Sequence, residues 1–248
     1  MGLLGDRLSL IHMMVFDRQR PTFTCPICSY SGVFLNSHAP TGFRLHSRCP
    51  RCKGGERHRL QHLVMQDLLA ERDASKMSML HFAPESWFRP IFARRFGTYQ
   101  TADLGMRGVT HRVDICRLPL PDGSYDIVYA SHVLEHVLDD NLAISEIRRV
   151  LRPGGIAILP VPLFAEETIE YAAANPHEHH HVRAPGLDYF DRYTRHFRRV
   201  EKYASDQYPE KYQLYLYQDR TSWPMKNHPH LRPMPGERHL DIVPVCYV

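Results

Sequence analysis

Residues 114–155 constrain the fold more than any other part of the chain. Within them, Tyr125–Ala130 (YDIVYA) is aromatic and β-branched and follows a Pro-Asp-Gly turn, which predicts a strand. Apolar residues then recur at helical spacing over 141–151, and Pro153-Gly154-Gly155 separates this helix from a new apolar run. A strand, a crossover helix and another buried strand predict an α/β protein with a parallel sheet.

The same residues resemble a known enzyme family. The motif D-I-x-x-L-P-x-P-D-x-S-Y-D-I-V-x-x-x-H-V-L-E-H-V begins at Asp114, and R-V-L-R-P-G-G follows it and ends at Gly155. In combination these motifs are similar to class I S-adenosylmethionine-dependent methyltransferases of the methyltransferase type 11 group. The resemblance runs from about residue 79 to 155 and, more weakly, to about residue 218. It implies a Rossmann-like sheet, mostly parallel with an antiparallel last strand, and S-adenosylmethionine as the cofactor.

The loop after the first strand of this domain differs from the family pattern. Class I methyltransferases usually place glycines there, so that the backbone approaches the cofactor. Here Ala83, Glu85 and Trp87 stand where glycines are expected, and His81 stands where an acidic residue is frequent. We interpret the segment as a substituted loop that still binds the cofactor. The cofactor contacts predicted in it are His81, Phe82, Ala83 and Glu85.

Further cofactor contacts are predicted where other strands end. Asp103 ends a predicted second strand at 100–103, where a carboxylate can accept hydrogen bonds from both ribose hydroxyls, and Leu104 follows it. Ser131 and His132 follow the fourth strand, at the mouth where open parallel sheets bind ligands.

The resemblance also implies an adenine site. It places Asp114 beside the exocyclic amine of the adenine and Ile115 against the ring. The alternative for Asp114 is a loop cap, because Asp favours turns. For the domain as a whole, the alternative is a generic doubly wound fold that binds another ligand.

Two similar cysteine pairs precede this domain. The sequences CPIC at 25–28 and CPRC at 49–52 are separated by twenty residues, a spacing typical of a zinc site with four thiolates. We therefore predict a structural Zn²⁺ in a zinc ribbon. The alternative is two disulfides in an exported protein, although the first ten residues lack the features of a secretory signal. The predicted zinc ligands are Cys25, Cys28, Cys49 and Cys52.

Basic residues cluster around the second cysteine pair, at 44–59. They could contact phosphates of RNA, of a nucleotide sugar or of a phosphorylated substrate. They also lie beside a predicted helix that begins at Glu56, and such residues are usually the solvated side of a helix. Because surface aromatics that could stack on bases are few here, nucleic-acid binding is not favoured.

Histidines in the loop after the fifth strand are candidates for catalysis. The resembling family has a motif like H-x-R followed by G-x-D-Y, which His181, Arg183 and residues 186–189 match. An alcohol acceptor needs a base to remove its proton, and histidine suits this task near neutral pH. We predict His181 as the base, with His132 and His136 as further candidates, and His181 with Arg183 as substrate contacts. A second metal site is not predicted, because adjacent loop histidines cannot all point at one ion.

Composition agrees with one large domain and a small appendage. The chain has 248 residues, 43% of them hydrophobic, and a mild net charge of +4. We predict four segments: an N-terminal helix or arm at 1–20, the zinc ribbon at 21–58, the methyltransferase domain at 59–220 and a C-terminal arm at 221–248.

The end of the domain is predicted to close the sheet. A fifth strand is expected at 156–161, a helix at 187–197, and an antiparallel strand pair at 197–203 and 212–217. The proline-rich arm could mediate a homodimer. No apolar run reaches membrane-spanning length, so a cytoplasmic protein without membrane contact is expected.

These observations predict a methyltransferase that acts on an O or N atom of a small-molecule acceptor, such as a sugar or natural product. The alternative is a noncatalytic methyltransferase-like module whose ribbon binds RNA or a protein partner. The missing glycines at Ala83 and Glu85 favour the alternative, whereas Asp103 and Asp114 oppose it. A nicotinamide-dependent oxidoreductase is disfavoured, since no GxGxxG follows the first strand.

Overall fold

The cysteine-rich segment forms two short hairpins. A computed structural model describes residues 21–248, and the predicted N-terminal helix or arm lies outside the described residues. Strand β1 (Phe23–Thr24) pairs antiparallel with β2 (Ser31–Gly32), and β3 (Leu35–Ala39) pairs antiparallel with β4 (Gly42–Arg48). Cys25, Phe34 and Cys49 are fully buried between them, so this unit has a very small core.

The first helix of the described residues, α1 (Glu56–Leu68), connects the ribbon to the sheet. Its N-terminus carries Glu56, whose charge complements the helix dipole, and His58 Nδ1 accepts a hydrogen bond of 3.0 Å from the Gly55 N–H. Leu60 and Val64 are completely buried against the sheet. The predicted helix is therefore present, but His58 and Arg59 are buried as well, so the expectation that the basic residues form its solvated side is wrong for these two residues.

The remaining elements follow in chain order. They are β5 (Ser78–Phe82), α2 (Phe88–Arg95), β6 (Thr98–Asp103), β7 (His111–Arg112), β8 (Tyr125–Ala130), α3 (Asp140–Val150), β9 (Leu151–Ile158), β10 (Ile169–Asn175), β11 (His181–Ala184), α4 (Asp191–Thr194), β12 (Arg199–Ala204), β13 (Leu216–Tyr217), β14 (Arg238–His239) and β15 (Ile242–Tyr247).

Seven strands form the central sheet in the order β12-β15-β9-β8-β5-β6-β7. The pairs from β9 to β7 are all parallel, whereas β15 is antiparallel to both β9 and β12. The chain leaves β5 towards β6 on one side and later returns to β8 on the other. Strand order therefore reverses between β5 and β8, and open sheets of this kind bind ligands at that position. The predicted fold class is confirmed.

The central motif forms nearly the predicted elements. The strand Tyr125–Ala130 is confirmed, and the predicted helix at 141–151 is α3, where the Asp139 side chain accepts a hydrogen bond from Leu142 N. Strand β9 starts at Leu151, before the Pro-Gly-Gly sequence, and its register with β8 shifts there. Gly154 has φ of 77°, which glycine adopts without strain.

Of the two strands predicted to close the sheet, one is present and the other is not. Strand β12 lies close to the predicted 197–203, but its partner is β15 and not 212–217. An interior strand needs two apolar faces, and the five residues from Ile242 to Cys246 are buried. Segment 212–217 instead contains Gln213 with φ of 48°, which interrupts extended structure. The predicted arm at 221–248 therefore contributes a central strand of the sheet.

The ribbon shares a sheet with the chain after residue 215. Strands lie in the order β14-β13-β4-β3, and Tyr217 pairs with Leu45. Arg59 of α1 is fully buried and lies 4.5 Å from the centre of the Phe34 ring. Its guanidinium donates hydrogen bonds to the carbonyls of Ser47, Gly54, Tyr212 and Gln213. No helix of the described residues is long and apolar enough to cross a membrane.

Arg59→Met should lower the free energy of unfolding by at least about 3 kcal/mol, because each buried carbonyl left without a donor costs about 1–3 kcal/mol. Urea unfolding followed by circular dichroism measures this loss. The matched control is Arg72→Met at an exposed arginine, for which we expect a change within about 0.5 kcal/mol. Equal stability of the two variants would contradict the role assigned to Arg59.

Candidate functional site

The carboxyl ends of three parallel strands meet at one edge of the sheet. Phe82 of β5 pairs with Ala102 of β6 and with Ala130 of β8. The loops that follow these three strand ends therefore start side by side. This edge, which we call the cofactor edge, brings together the strand ends predicted to bind the cofactor.

The backbone at the cofactor edge is strained at two positions. Ala83 has φ of 45° and His132 has φ of 54°, in the left-handed region that favours glycine. Such a conformation costs roughly 1–2 kcal/mol for a residue with a Cβ. The resembling family usually has glycine at the position of Ala83. The backbone here adopts the left-handed turn with an alanine instead.

His81 and Glu85 bind each other. His81 is fully buried; its Nε2 lies 2.9 Å from Glu85 Oε2 and its Nδ1 lies 2.9 Å from Tyr99 Oη. Both ring nitrogens of His81 are therefore occupied, and the ring packs in the core against Phe92 and Tyr129. The prediction that the His81 side chain contacts the cofactor is not supported by this position. Phe82 is likewise 2% exposed and packs in the core.

Asp103 has one carboxylate oxygen available. Its Oδ1 accepts hydrogen bonds from Gly105 N at 2.7 Å and Met106 N at 2.6 Å, which fixes the turn after β6. Within the described residues, no hydrogen bond is made to Oδ2. The side chain is half-buried, and Leu104 beside it is 70% exposed. A ligand at this edge can therefore reach both residues.

Asp114 and Ile115 lie in the loop after β7. Asp114 is exposed, and its Oδ1 accepts a hydrogen bond of 2.9 Å from Cys116 N, so the loop-cap alternative is present in the structure. Ile115 is 7% exposed and belongs to the core cluster with Phe82 and Ala102. Ser131 is buried, with its hydroxyl 3.2 Å from Gln61 Oε1.

A cavity of about 560 Å³ lies between the ribbon and the domain. On the domain side it is lined by Trp87 from the loop after β5, by His132 and Glu135 from the segment after β8, and by His181 from β11. On the ribbon side the turn between β3 and β4 and the start of α1 close it. Its size suits a small molecule. Because His132 follows Ser131 directly, the cavity adjoins the cofactor edge.

Four side chains form a cluster in this cavity. Glu135 Oε1 lies 3.3 Å from His132 Nδ1, 3.9 Å from His136 Nε2 and 4.0 Å from His181 Nε2. The rings of His136 and His181 are 4.7 Å apart at their centres. The three histidines predicted as catalytic candidates are thus brought together by Glu135, a residue that the sequence analysis did not select.

Burial sets the protonation of the cluster. It raises the pKa of Glu135 to about 8 and lowers the pKa of His181 to about 3. Burial also lowers the pKa of His136, and it takes the pKa of His132 well below its ordinary value. The histidines are therefore neutral at pH 7. A ring as weakly basic as that of His181 is a poor proton acceptor, so binding through a neutral imidazole suits it better than the predicted role as base.

Arg183 does not face the cavity. It is 2% exposed, and its guanidinium donates to the carbonyls of Leu134, Val137 and Leu138 and to the carboxylate of Glu170. The prediction that Arg183 contacts substrate is wrong, because these bonds occupy its guanidinium. Its N–H groups instead hold the turn that carries Glu135 and His136.

A buried pair of hydrogen bonds from His228 connects two walls of the cavity. His228 Nδ1 lies 2.9 Å from Glu178 Oε1, and His228 Nε2 donates to the Pro40 carbonyl at 2.9 Å. Glu178 precedes β11, Pro40 lies in the ribbon, and His228 lies in the predicted C-terminal arm. His228 thus braces two lining residues from behind, and Asp241 of the same arm lines the cavity itself, which sequence patterns did not indicate.

Arg220 is a buried cation in the cavity wall. It is 2% exposed, donates to the Leu163 carbonyl at 3.0 Å and stacks 5.0 Å from the centre of the Trp223 ring. Burial lowers the pKa of Arg220 to about 9. Within the described residues, no carboxylate lies at ion-pair distance from it.

The four predicted zinc ligands converge. The Sγ atoms of Cys25 and Cys52 are 3.6 Å apart, as are those of Cys28 and Cys49. Four thiolates on one zinc ion at about 2.3 Å lie about 3.8 Å apart. These distances are too long for disulfides and fit a tetrahedral site. This donor set therefore suits zinc.

Comparisons with known proteins match the central part of the chain. Residues 94–159 match the sequence family described as a methyltransferase domain. A probable S-adenosylmethionine-dependent methyltransferase of Mycolicibacterium smegmatis is 46% identical over 56 residues, 21% of this chain and 22% of that protein. The 27-O-demethylrifamycin SV methyltransferase of Amycolatopsis mediterranei is 44% identical over 54 residues, 22% of this chain and 20% of that protein.

A solved structure shares the fold. The S-adenosylmethionine-dependent methyltransferase from Mesorhizobium loti aligns with a TM-score of 0.52 at 15% identity, covering 76% of this chain and 98% of that chain. The matches to curated relatives span about a fifth of the length of those proteins, 20% and 22%. The sheet therefore has the Rossmann-like fold of that methyltransferase, and residues 94–159 match the methyltransferase domain family.

Asp241, which lines the cavity, predicts a pH effect on stability. Burial raises its pKa from 3.8 to about 7, so between these values the folded protein holds a proton that the unfolded chain releases. The contribution of Asp241 to the free energy of unfolding is therefore fully present below pH 3.8. It is lost as the pH rises from there through 7. Asp241→Asn, which keeps the acceptor for Ile242 N, should match the wild type at pH 4 and be more stable at pH 8.

Urea unfolding of both proteins across this pH range measures the difference. The control is Asp206→Asn at an exposed carboxylate, for which the pH profile should stay that of the wild type. An Asp241→Asn variant whose stability runs parallel to that of the wild type at every pH would disprove the effect.

Proposed function

We propose that the protein is an S-adenosylmethionine-dependent methyltransferase that acts on an O or N atom of a small-molecule or sugar-type acceptor. The cofactor would lie at the cofactor edge, with its ribose on Asp103 and its adenine beside Asp114 and Ile115. The acceptor would lie in the cavity. The observation that carries this proposal is that Ser131 and His132, two consecutive residues, belong to the cofactor edge and to the cavity wall respectively.

The described residues would act mainly by positioning. When bound, S-adenosylmethionine would supply a methyl group on a sulfonium: the acceptor atom would attack the methyl carbon in line, the carbon–sulfur bond would break, and the thioether would leave. Holding the reacting atoms in line contributes most of the acceleration in such a reaction. The wall of Trp87, Glu135 and His181 would fix the acceptor, and the ribbon would exclude water from it.

The charge of the cavity favours an acceptor that is itself negatively charged. Arg220 is buried without a carboxylate at ion-pair distance within the described residues, and Asp241 and Glu56 act on its charge only from farther away. Arg48 and Arg57 line the cavity from the ribbon side. A phosphate or carboxylate on the acceptor would offset this positive charge. One relative is by its name a methyltransferase of 27-O-demethylrifamycin SV, which is consistent with a small-molecule acceptor.

We also propose that Cys25, Cys28, Cys49 and Cys52 bind one structural Zn²⁺. A unit this small buries too little apolar surface to be stable without a metal. The zinc would hold β3 and β4 in place, and the turn between these strands covers the cavity. The zinc would therefore act on the acceptor site through the fold and not through chemistry.

Asp103→Asn tests the cofactor site without removing the turn. Asparagine keeps an oxygen that can accept from Gly105 N and Met106 N, but its amide N–H₂ cannot accept hydrogen bonds from ribose hydroxyls. We expect the affinity for S-adenosylmethionine, measured by calorimetry, to fall at least about tenfold, or about 1.4 kcal/mol.

The control for this measurement is Asp122→Asn, an exposed aspartate at the opposite end of β8, which should bind as the wild type does. Unchanged affinity in Asp103→Asn would remove the ribose assignment. If the wild type itself gave no binding heat, the noncatalytic alternative would replace the proposed function.

Cys49→Ser should lower the zinc content of dialysed protein by one ion per chain, because a hydroxyl is a poor ligand for zinc beside thiolates. Atomic absorption measures the metal. Cys116→Ser, in which the replaced thiol lies outside the cysteine cluster, is the control and should keep the wild-type zinc content. Retention of all zinc by Cys49→Ser would show that the cysteines do not hold it.

A further inference from the structure

We propose that Glu135, His136 and His181 bind a divalent transition-metal ion in the wall of the cavity, separate from the cysteine site. One carboxylate oxygen and one nitrogen from each ring lie within 4.8 Å of one another. Two of the residues are consecutive in the turn after β8, and the third begins β11. The sheet therefore brings together ligands that are far apart in sequence.

The ligand atoms lie within reach of one metal ion, somewhat farther apart than in a formed site. Bonds of about 2.0–2.2 Å place two ligand atoms on one ion at most about 4.3 Å apart. Glu135 Oε1 lies 3.9 Å from His136 Nε2 and 4.0 Å from His181 Nε2, so one ion can bridge each pair. The third distance, between the His136 and His181 nitrogens, shortens if the His136 ring rotates. The His136 side chain is 35% exposed, which leaves room for this rotation.

Unpaired buried atoms support the same site. Glu135 is 1% exposed, and its Oε2 has no hydrogen-bond partner among the described residues. Buried carboxylate oxygens are rarely left unpaired, because the lost hydration costs about 1–3 kcal/mol. Bound metal would pair with the Glu135 carboxyl group and release its proton. His132 Nε2 is also buried and unpaired, which leaves a fourth donor close to the site.

Neighbouring groups already orient two of the ligands. His181 Nδ1, also unpaired, lies 3.9 Å from Glu178 Oε2, on the other side of the ring from the nitrogen that faces Glu135. A carboxylate behind a metal-bound histidine is a common arrangement that fixes the ring and raises its basicity. Arg183 holds the turn that carries Glu135 and His136 through three carbonyls.

The donor set selects the type of ion. Two imidazoles and one carboxylate suit Zn²⁺, Fe²⁺, Co²⁺ or Ni²⁺ better than Mg²⁺, which prefers oxygen ligands. Three protein ligands leave coordination positions open towards the cavity. If the proposed function holds, an oxygen of the acceptor would occupy such a position, and this part of the inference rests on that function. Metal binding itself does not require it.

Co²⁺ titration of protein that already carries zinc on its cysteines tests the site. Co²⁺ binds more weakly than Zn²⁺ to a given site, so it does not displace the thiolate-bound ion. We expect one further ion per chain by calorimetry, with visible absorption typical of nitrogen and oxygen ligands and no thiolate charge-transfer band. His181→Ala and Glu135→Gln should each abolish this binding, and Glu135→Gln keeps the shape of the side chain.

His177→Ala is the matched control, since it removes an exposed histidine from the same loop and should leave Co²⁺ binding unchanged. Circular dichroism and S-adenosylmethionine binding show whether each variant is folded. The inference is overturned if the wild type binds no further Co²⁺, or if His181→Ala and Glu135→Gln bind it as the wild type does while folded. Since the titration uses no cofactor, failure of the methyltransferase proposal would appear separately, as absent S-adenosylmethionine binding.

Discussion

The parallel register of β5, β6 and β8 is the constraint on which the site depends. It aligns Phe82, Ala102 and Ala130 in one row, so that three loops leave the sheet at the same edge. The first of these loops lacks the glycines usual in the family, yet Ala83 still adopts a left-handed conformation at that point. The strand geometry therefore imposes the turn, and the backbone of Ala83 carries a strain of roughly 1–2 kcal/mol.

The ribbon and the end of the chain add further walls beside this edge. Arg59 ties α1 to carbonyls of both segments, and the Glu178–His228 pair joins the loop before β11 to Pro40 of the ribbon. Chain segments far apart in sequence thus enclose one cavity of about 560 Å³. In the proposed function, a cavity of this size holds a small-molecule acceptor and not a nucleic-acid strand. The ribbon's proposed role is to hold the turn between β3 and β4 over the proposed acceptor site.

Local sequence patterns were enough to predict those elements whose structure depends mainly on nearby residues. Strand β8, helix α3 and the four cysteines follow from periodicity and spacing, and the structure has them where the sequence predicts them. The last sheet strand was missed because Pro244 lies within it, and proline usually argues against an interior strand. Arg183 was misassigned because a motif gives residue types and not the direction of a guanidinium. Glu135 was overlooked since its role depends on His181, which is 46 residues away in the chain and adjacent only after folding.

The central claim is that the cofactor edge and the cavity are two halves of one methyl-transfer site. A crystal structure with S-adenosylhomocysteine tests it most directly. The account predicts electron density for the ribose within hydrogen-bond distance of Asp103 Oδ2, with the sulfur directed at the cavity between Trp87 and His132. Density for the nucleoside elsewhere, or a sulfur separated from the cavity by the loop at 83–87, would contradict it.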